Sequence, residues 1–288
     1  MENTVEVRGV SKSYKDFSLK NISFTIKKGY VTGFIGANGS GKSTTIKLIM
    51  DLIKKDSGNI SIFGLDNEKN EIAIKERIGF VYDENVFYEE MSISELKKFI
   101  APAYSNWDEQ QFQYYLKKFE LPTHLKINKM SKGMKVKTSL VFALSHHAEF
   151  IIMDEPTSGL DPVFRREVLD IVYDLMIDQN KTILFSTHIT TDLDRIADYI
   201  VFIHKGEVVF QKEMHAISEE FAIVKGDTSL LLPAIEKDFV GMRKTSMGFE
   251  ALTQNVQNTK AFLGEEVFTE VPTLEDIMYY TKKGNEHV

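Results

Sequence analysis

The chain of 288 residues contains no cysteine, and it has no long apolar run. Without cysteine, disulfides and thiolate metal sites are excluded, which is compatible with a reducing compartment. A membrane-spanning helix needs roughly 18–20 apolar residues in succession, and no stretch approaches this length. Residues 1–6 also lack the basic region and apolar core of a signal peptide. We therefore expect a chain that does not cross a membrane by itself and has no secretory leader.

Positive charge is in the minority. The 35 Lys and Arg residues are outnumbered by 42 Asp and Glu residues, which gives a formal net charge of −7. This balance disfavours a surface built for nucleic acid or for bare anionic lipid. The apolar fraction of 43% and the charged fraction of 27% are those of an ordinary globular protein. The length allows one large domain with a small appendage.

One glycine-rich stretch dominates the rest of the sequence. Residues 36–44 fit the pattern of Gly, four residues and Gly-Lys-Ser/Thr, which builds a phosphate-binding loop. A β-branched and aromatic run precedes the loop, and apolar residues at helical spacing follow it from Thr45 to Ile53. The loop therefore joins a strand to a helix N-terminus, where backbone N–H groups and the helix dipole favour an anion. A chance turn would match in roughly one chain in a hundred of this length.

This pattern assigns the candidate phosphate ligands. Lys42 would reach the β- and γ-phosphates, and the Ser43 hydroxyl would hold Mg²⁺. The glycines let the backbone wrap phosphate oxygens without a Cβ in the way. The loop residues predicted to bind the nucleotide are Gly36, Asn38, Gly39, Ser40, Gly41, Lys42, Ser43 and Thr44.

The regions on either side of the first helix show two different patterns. Residues 5–10 and 19–26 alternate apolar and polar side chains, as half-buried antiparallel strands do. Tyr14 lies between them and would stack on an adenine base, although an aromatic residue at a hairpin end fits its spacing equally well. Residues 92–147 are helical in pattern, interrupted at prolines. An all-helical block between the strands of an α/β domain suggests a subdomain that moves separately.

Two carboxylates follow a second buried strand. Four apolar residues precede Asp154 and Glu155, which would lie at the C-terminal edge of a sheet, where open α/β folds bind ligands. In a nucleotide site, Asp154 would join the Mg²⁺ shell and Glu155 would polarise water for attack on the γ-phosphate. A plain acidic turn is the competing interpretation, and the phosphate-binding loop disfavours it. Residues 181–188 form a further buried strand that ends in His188.

In this order, the motifs resemble the nucleotide-binding subunit of ATP-binding cassette (ABC) transporters over residues 4 to about 212. The matched motifs are Walker A (36–44), the signature (130–134), Walker B with its catalytic glutamate (150–155), the D-loop (158–161) and the switch histidine (His188). The resemblance implies an α/β fold: a P-loop NTPase core with an antiparallel β subdomain and an inserted helical subdomain. It also implies ATP and Mg²⁺ as cofactors and places Tyr14 at the adenine-stacking position.

In the resembled family, the signature of one subunit caps the ATP that another subunit holds. Ser131 and the amide of Gly133 would meet the γ-phosphate across the interface, with Asp161 of the D-loop beside them. Lys42, Glu155 and His188 would form the catalytic set, with Glu155 as general base and His188 bracing the γ-phosphate and the attacking water. The resemblance thus implies a head-to-tail pair with two ATP molecules between the subunits, and we expect a homodimer rather than a heterodimer. It further implies a separate transmembrane permease that holds the pair at the cytoplasmic face of the cell membrane.

Two motifs depart from the family pattern. A glutamine normally ends the strand at residues 78–82, and Asp83 stands there instead. An ionised carboxylate only accepts hydrogen bonds, but it can still take a metal-bound water, so Asp83 is a candidate metal ligand. In the signature, Lys132 and Met134 replace the usual glycine and glutamine. These variations resemble those of Gram-positive exporter ATPases for antibiotics and amphipathic peptides, the staphylococcal exporters of phenol-soluble modulins among them.

The expected organisation is a nucleotide-binding domain at residues 1–212, with its helical subdomain at about 92–147, and an accessory α+β domain at 213–288. Two other classes share the phosphate-binding loop. A soluble ABC-type protein of ribosomes or DNA usually carries paired cassettes, a charged linker or long coiled coils, and none is visible. A P-loop kinase or GTPase would lack the signature and would not need Asp161 and His188 in this order. We therefore expect an exporter ATPase without a nucleic-acid partner.

Overall fold

The computed structural model of the chain describes residues 2–82, 87–177, 181–231, 233–263 and 267–284. The chain divides into two compact units, Met1–Gln211 and Lys212–Val288. Within the described ranges, no helix is both long enough and apolar enough to span a bilayer.

The first unit contains ten strands and seven helices among its described residues. In chain order they are β1 (Asn3–Ser13), β2 (Ser18–Lys27), β3 (Val31–Ile35), α1 (Lys42–Ile49), β4 (Ser57–Ile62), β5 (Leu65–Asp66), α2 (Glu71–Lys75), β6 (Ile78–Val81), α3 (Ile93–Ile100), α4 (Glu109–Lys118), α5 (Lys132–Ser145), β7 (Phe150–Asp154), α6 (Pro162–Ile177), β8 (Thr182–Thr187), α7 (Thr190–Ile196), β9 (Tyr199–His204) and β10 (Glu207–Glu213). The predicted α/β class is confirmed.

Two sheets organise this unit. The first has the order β2-β1-β4-β5 and is antiparallel, as the alternating N-terminal pattern predicts. The second has the order β10-β9-β3-β8-β7-β6, and its strands from β9 to β6 run parallel. Strands β3, β7 and β8 are buried along their whole length, because both faces of a parallel sheet are covered.

The register of the parallel sheet positions the site. Ile35, the last residue of β3, pairs with Thr187, and Asp154, the last residue of β7, pairs with Ser186. The carboxyl ends of β3, β8 and β7 therefore lie side by side at one edge. This arrangement brings the phosphate-binding loop, Asp154 and the segment after β8 together.

The first helix is shorter than the sequence pattern indicates. Apolar spacing predicts a helix that continues to Ile53, but α1 ends at Ile49. The buried side chain of Asn67 donates to the carbonyl oxygens of Leu48 (2.9 Å) and Ile49 (3.2 Å), and so satisfies carbonyls that a longer helix would use itself. Asp51 then has a positive φ of 50°, which ends the helical geometry.

The helical pattern predicted for residues 92–147 is confirmed by α3, α4 and α5. Ser92 and Glu95 form a capping box at the start of α3, and the Asp108 side chain accepts from two backbone N–H groups at the start of α4. Phe112 and Phe142 join α4 to α5 through an aromatic contact with ring centroids 5.9 Å apart.

The second unit is a small α+β domain. Its elements are α8 (Met214–Glu220), β11 (Ala222–Gly226), α9 (Pro233–Glu236), β12 (Phe239–Thr245), β13 (Gly248–Thr253), α10 (Val256–Leu263), β14 (Phe268–Glu270) and α11 (Leu274–Gly284). The sheet has the order β12-β13-β11-β14 and is antiparallel. Helix α11 packs so closely on β12 that a Cβ at Gly241 would lie 2.0 Å from the carbonyl oxygen of Tyr280.

Candidate nucleotide-binding and catalytic site

The loop between β3 and α1 has the geometry of a phosphate cradle. Helix α1 begins at Lys42, after Gly41 at φ 114°. A Cβ at Gly41 would lie 2.5 Å from the Leu19 side chain, and a Cβ at Gly36 would lie 2.4 Å from the carbonyl oxygen of Ile203. Glycine is therefore required at both positions. Between them, Asn38 and Gly39 lie at the exposed loop tip, with Gly39 at φ 79°.

The remaining loop residues divide by burial. The Lys42 side chain is buried, and its ammonium group donates to the carbonyl oxygen of Gly36 at 2.7 Å. Ser40 is buried too, and its hydroxyl has no hydrogen-bond partner. Ser43 is exposed and Thr44 is half-buried. The loop thus presents exposed donors at the helix N-terminus and one buried cation behind them, which suits a polyphosphate.

Three of the predicted site residues meet at Glu155. Its Oε2 lies 2.7 Å from Nδ1 of His188 and accepts the backbone N–H of His188 at 3.3 Å. Its Oε1 lies 3.2 Å from Nζ of Lys42, an ion-pair distance without hydrogen-bond geometry. A buried carboxylate with a cation on one side and an imidazole on the other is suited to general-base chemistry. The structure therefore places Lys42, Glu155 and His188, the three residues of the predicted catalytic set, next to one another.

The backbone at Glu155 is strained in a way that aims the side chain. Glu155 has a φ of 50°, a conformation that costs a non-glycine residue roughly 1–2 kcal/mol. It is retained because the Glu155 N–H donates to the carbonyl oxygen of Ser186 at 2.9 Å, and the Ser158 N–H donates to the Glu155 carbonyl at 3.1 Å. Such strain at a carboxylate between two charged or titratable partners is typical of a functional site.

The neighbouring Asp154 fits a divalent cation. Burial raises the pKa of Asp154 above its ordinary value, against the opposing effect of the Ser186 and Ser43 hydroxyl groups. Its Oδ1 is buried and has no hydrogen-bond partner. A hydroxyl and a carboxylate are hard oxygen ligands of the kind Mg²⁺ prefers. Ser43 and Asp154 would therefore hold the metal, while Asp83, the third predicted metal ligand, lies outside the described residues.

Tyr14 lies in the connection between β1 and β2. It is 48% exposed, and its N–H donates to the carbonyl oxygen of Phe17 at 2.7 Å, which closes the turn. Phe17 itself approaches the loop, because a Cβ at Gly41 would lie 2.9 Å from its ring. The turn therefore lies next to the phosphate-binding loop, with the Tyr14 ring accessible for stacking. The two interpretations of Tyr14, hairpin end and adenine platform, are compatible.

The signature and D-loop residues form a second group. Ser131 caps α5 by accepting the Met134 N–H at 3.2 Å, and Asp161 caps α6 by accepting the N–H groups of Val163 and Phe164. A Cβ at Gly133 would lie 2.8 Å from the Phe164 ring, so glycine permits the contact of α5 with α6. Among the described residues, no hydrogen bond or ion pair joins Ser131, Gly133 or Asp161 directly to Lys42, Glu155 or His188, although the Asp161 carbonyl accepts the N–H of Arg165.

The sequence patterns missed a buried polar network close to Glu155. Asp192 accepts from the Thr157 hydroxyl at 2.6 Å and from Nε of Arg165 at 2.5 Å. Tyr82 was also missed: burial and the Asp154 charge raise the pKa of its phenol, which places it near Asp154. These residues belong to no short motif, and only the position of Asp192, four residues after His188, gives a signal.

Comparison with known proteins gives consistent similarities. A family model described as "ABC transporter" matches residues 19–158. The ABC transporter ATP-binding protein YtrB of Bacillus subtilis is 28% identical over 98% of this chain and 99% of its own length. The bacitracin transport ATP-binding protein BcrA of Bacillus licheniformis is 32% identical over 73% of this chain and 69% of its own. The lantibiotic transport ATP-binding protein SrtF of Streptococcus pyogenes is 31% identical over 73% of this chain and 90% of its own length.

Solved structures agree with these similarities. An ATP-binding subunit of an ABC transporter superposes with a TM-score of 0.66 at 30% identity, covering 75% of this chain and 92% of its own. The ATP-binding cassette MJ0796, in a dimeric post-hydrolysis state bound to ADP and phosphate, superposes with a TM-score of 0.65. The match covers 73% of this chain and 98% of that cassette. At 23% identity, the second comparison supports the fold alone.

Proposed function

Since the chain belongs to the ABC transporter family and is an ATPase, we propose that it powers the export of amphipathic or antibiotic peptides through a separate transmembrane permease. The proposed residue roles rest on one observation: Lys42 and His188 both contact the buried Glu155, whose backbone is strained. No observation favours the alternative of a ribosome- or DNA-associated ATPase, and the relatives described above are named as transport or transporter proteins.

The loop and its flanks would bind the nucleotide. Backbone N–H groups at the start of α1 and the ammonium group of Lys42 would neutralise the phosphates, and Tyr14 would stack on the base. Ser43 and Asp154 would hold Mg²⁺, which supplies charge neutralisation and orientation of the phosphates when it is bound.

Glu155 would take the proton from the attacking water. The water oxygen forms a bond to the γ-phosphorus, the bond from the γ-phosphorus to the bridging oxygen breaks, and ADP leaves with that oxygen. His188 Nδ1 lies 2.7 Å from the Glu155 carboxylate, and a proton on Nδ1 would let the imidazole fix the carboxylate by donating to it. Glu155 and His188 would then stay in place as a pair while the water approaches.

A second copy of the chain would complete the site. In the described part of one chain, no hydrogen bond or ion pair joins Ser131, Gly133 or Asp161 directly to Lys42, Glu155 or His188. Ser131 lies at the N-terminus of the long helix α5, where an anion is favoured. We infer a head-to-tail homodimer in which the α5 N-terminus of one subunit caps the γ-phosphate held by the other.

The cargo proposal rests on the relatives. BcrA and SrtF are named for the transport of bacitracin and of lantibiotics, which are peptide antibiotics. We propose cargo of this chemical class, amphipathic peptides such as phenol-soluble modulins included, with the chain bound at the cytoplasmic face of the membrane. Finding that a neighbouring gene encodes a protein with about six apolar spans would support the proposal. Unchanged sensitivity to such peptides after deletion of both genes contradicts the cargo assignment.

Glu155→Gln tests the catalytic proposal. Loss of a general base typically costs about 10²–10⁴-fold in rate. The variant should therefore bind ATP yet hydrolyse it very slowly, and the trapped ATP should lengthen the life of the dimer. Glu149→Gln is the control, because it also removes a carboxylate that is paired with a cation, here Arg77, but at the opposite end of β7. Near-normal turnover of Glu155→Gln, measured by phosphate release, would contradict the assignment.

A further inference from the structure

One buried carboxylate connects the segments that follow β7 and β8. Asp192, in the first turn of α7, is 1% exposed. Its Oδ2 accepts the Thr157 hydroxyl at 2.6 Å, and its Oδ1 accepts Nε of Arg165 at 2.5 Å. Arg165 also donates through Nη2 to the Thr191 hydroxyl at 2.7 Å. Both carboxylate oxygens are thus engaged by donors from other segments of the chain.

The two segments that Asp192 connects are those that carry Glu155 and His188. Thr157 lies two residues after Glu155, and Asp192 lies four residues after His188. Arg165 lies in the first turn of α6, and its N–H donates to the carbonyl of Asp161 at 2.9 Å. The network therefore fixes the turn after Glu155 and the start of α6 against α7.

A small displacement of the segments that this network joins would strongly affect the rate of hydrolysis. Glu155 and His188 face each other across 2.7 Å, and each is held from its own segment. Their separation therefore depends on how the two segments are joined, and misplacement of a reacting group by about 1 Å can cost 10²-fold in rate. Buried hydrogen-bonded charges hold such geometry well, because an unpaired partner is costly to bury.

We propose that Asp192, with Thr157 and Arg165 as its partners, is a positioning residue for ATP hydrolysis that sets the geometry of the Glu155–His188 pair. Among the described residues, no hydrogen bond joins the side chain of Asp192, Thr157 or Arg165 to Glu155 or His188. The three side chains therefore act through the backbone of the two segments. This inference rests on the proposed roles of Glu155 and His188.

The test uses a matched pair at Thr157 in the full-length chain. Thr157→Val keeps the β-branched shape but removes the hydroxyl, whereas Thr157→Ser keeps the hydroxyl. For Thr157→Val we expect kcat to fall about 10–100-fold, the range typical of lost outer-shell orientation, with the KM for ATP within about threefold of wild type. Thr157→Ser should retain kcat within about threefold. Asp192→Asn should behave as Thr157→Val does.

Coupling to Glu155 separates positioning from simple stabilisation. If Thr157 acts through Glu155, adding Thr157→Val to Glu155→Gln should lower the single-turnover rate little further. A role in stability alone predicts a lower melting temperature with an unchanged kcat per folded molecule. Glu149→Gln is again the control, and its kcat should stay within about twofold of wild type.

The outcomes distinguish the two proposals. Wild-type kcat in both Thr157→Val and Asp192→Asn, with Glu155→Gln inactive, overturns the positioning role and leaves the proposed function intact. Equal losses in Thr157→Val and Thr157→Ser also overturn it, because the hydroxyl is then not the group that matters. High activity of Glu155→Gln overturns the proposed roles of Glu155 and Asp192 together.

Discussion

The burial of the Asp154 carboxyl group lowers the stability of the folded chain when the group is charged. Its side chain is buried, its Oδ1 has no partner, and burial raises its pKa above the ordinary value. A carboxyl group with a raised pKa in the folded state binds more protons there than in the unfolded state. The free energy of unfolding therefore falls as the pH rises from the ordinary pKa through the raised one. Above the raised pKa, Asp154 is charged at a cost to the fold.

Asp154→Asn should stabilise the free chain and abolish its Mg²⁺-dependent response. Removal of the buried charge should raise the free energy of unfolding at pH 7 by about 0.5–2 kcal/mol, the size of a typical stabilising substitution. Denaturant unfolding with and without Mg-ATP measures both effects. Wild type should gain stability from Mg-ATP, and the variant should gain much less.

Asp198→Asn is the matched control for this prediction. Burial raises the pKa of Asp198 as well, but its carboxylate accepts the Val31 N–H, at the opposite end of β3 from the phosphate-binding loop. Its Asn variant should retain the full response to Mg-ATP. An Asp154→Asn chain that is stabilised by Mg-ATP as strongly as wild type would contradict the metal-ligand role.

At this scale, the sequence predicts residues whose chemistry is local and misses those that depend on the fold. Lys42 and Ser43 stand in a short motif whose spacing alone dictates a loop. The Thr157–Asp192 contact joins residues 35 positions apart, and no local pattern predicts that they pair. Serine, threonine and aspartate are also common in ordinary turns, so their presence alone carries little information.

Helix α3 and the residues just before it expose large aromatic side chains that do not pack in the core. It buries Ile93 and Leu96, while Phe99 is 67% exposed; Tyr88, just before the helix, is 73% exposed. We propose that a cytoplasmic loop of the permease docks near residues 83–105 and covers these rings. Aromatic side chains are typical anchors at protein interfaces.

Phe99→Ala should uncouple the chain from its permease without loss of basal activity. We expect the stimulation of ATPase activity by the permease to fall about tenfold, since loss of an anchor typically costs more than 1 kcal/mol. Ile72→Ala is the control, because Ile72 is equally accessible at 80% exposure but lies on α2, outside the proposed surface. Crosslinks from the permease that fall only in residues 213–288 would contradict this surface.

Element types were easier to predict than element ends. The parallel strands have continuous apolar runs, and the capping box at Ser92 makes the start of α3 readable. The end of α1 depends instead on Asn67, which lies 18 residues beyond Ile49 and is brought there by β4 and β5. A remote cap of this kind has no local sequence pattern.

At the scale of the whole molecule, the described part of the chain holds two groups of site residues that no hydrogen bond or ion pair joins directly. One group centres on Glu155, and the other centres on the junction of α5 and α6 at Phe164. A single chain would therefore bind ATP through Lys42 and Tyr14 but would lack the cap for its γ-phosphate. The proposed dimer brings the second group of one copy to the first group of the other.

Ser131→Arg should break the dimer without preventing ATP binding. The bulky cation would displace the α5 N-terminus from the γ-phosphate, while the nucleotide contacts within one chain remain. In the Glu155→Gln background, ATP should produce a dimer, and addition of Ser131→Arg should leave a monomer that still binds ATP. Ser94→Arg, at an exposed serine of α3, controls for the added arginine and should dimerise normally.

The central claim is that two chains share each ATP site, and the ATPase rate of Ser131→Arg tests it most directly, measured together with its molecular mass in solution. The shared-site account predicts a chain that binds ATP, stays monomeric and hydrolyses ATP at a small fraction of the wild-type rate. Mixing it with Lys42→Ala chains should restore some hydrolysis, because one site of the mixed pair has neither lesion. A Ser131→Arg monomer that hydrolyses ATP at the wild-type rate would contradict the account.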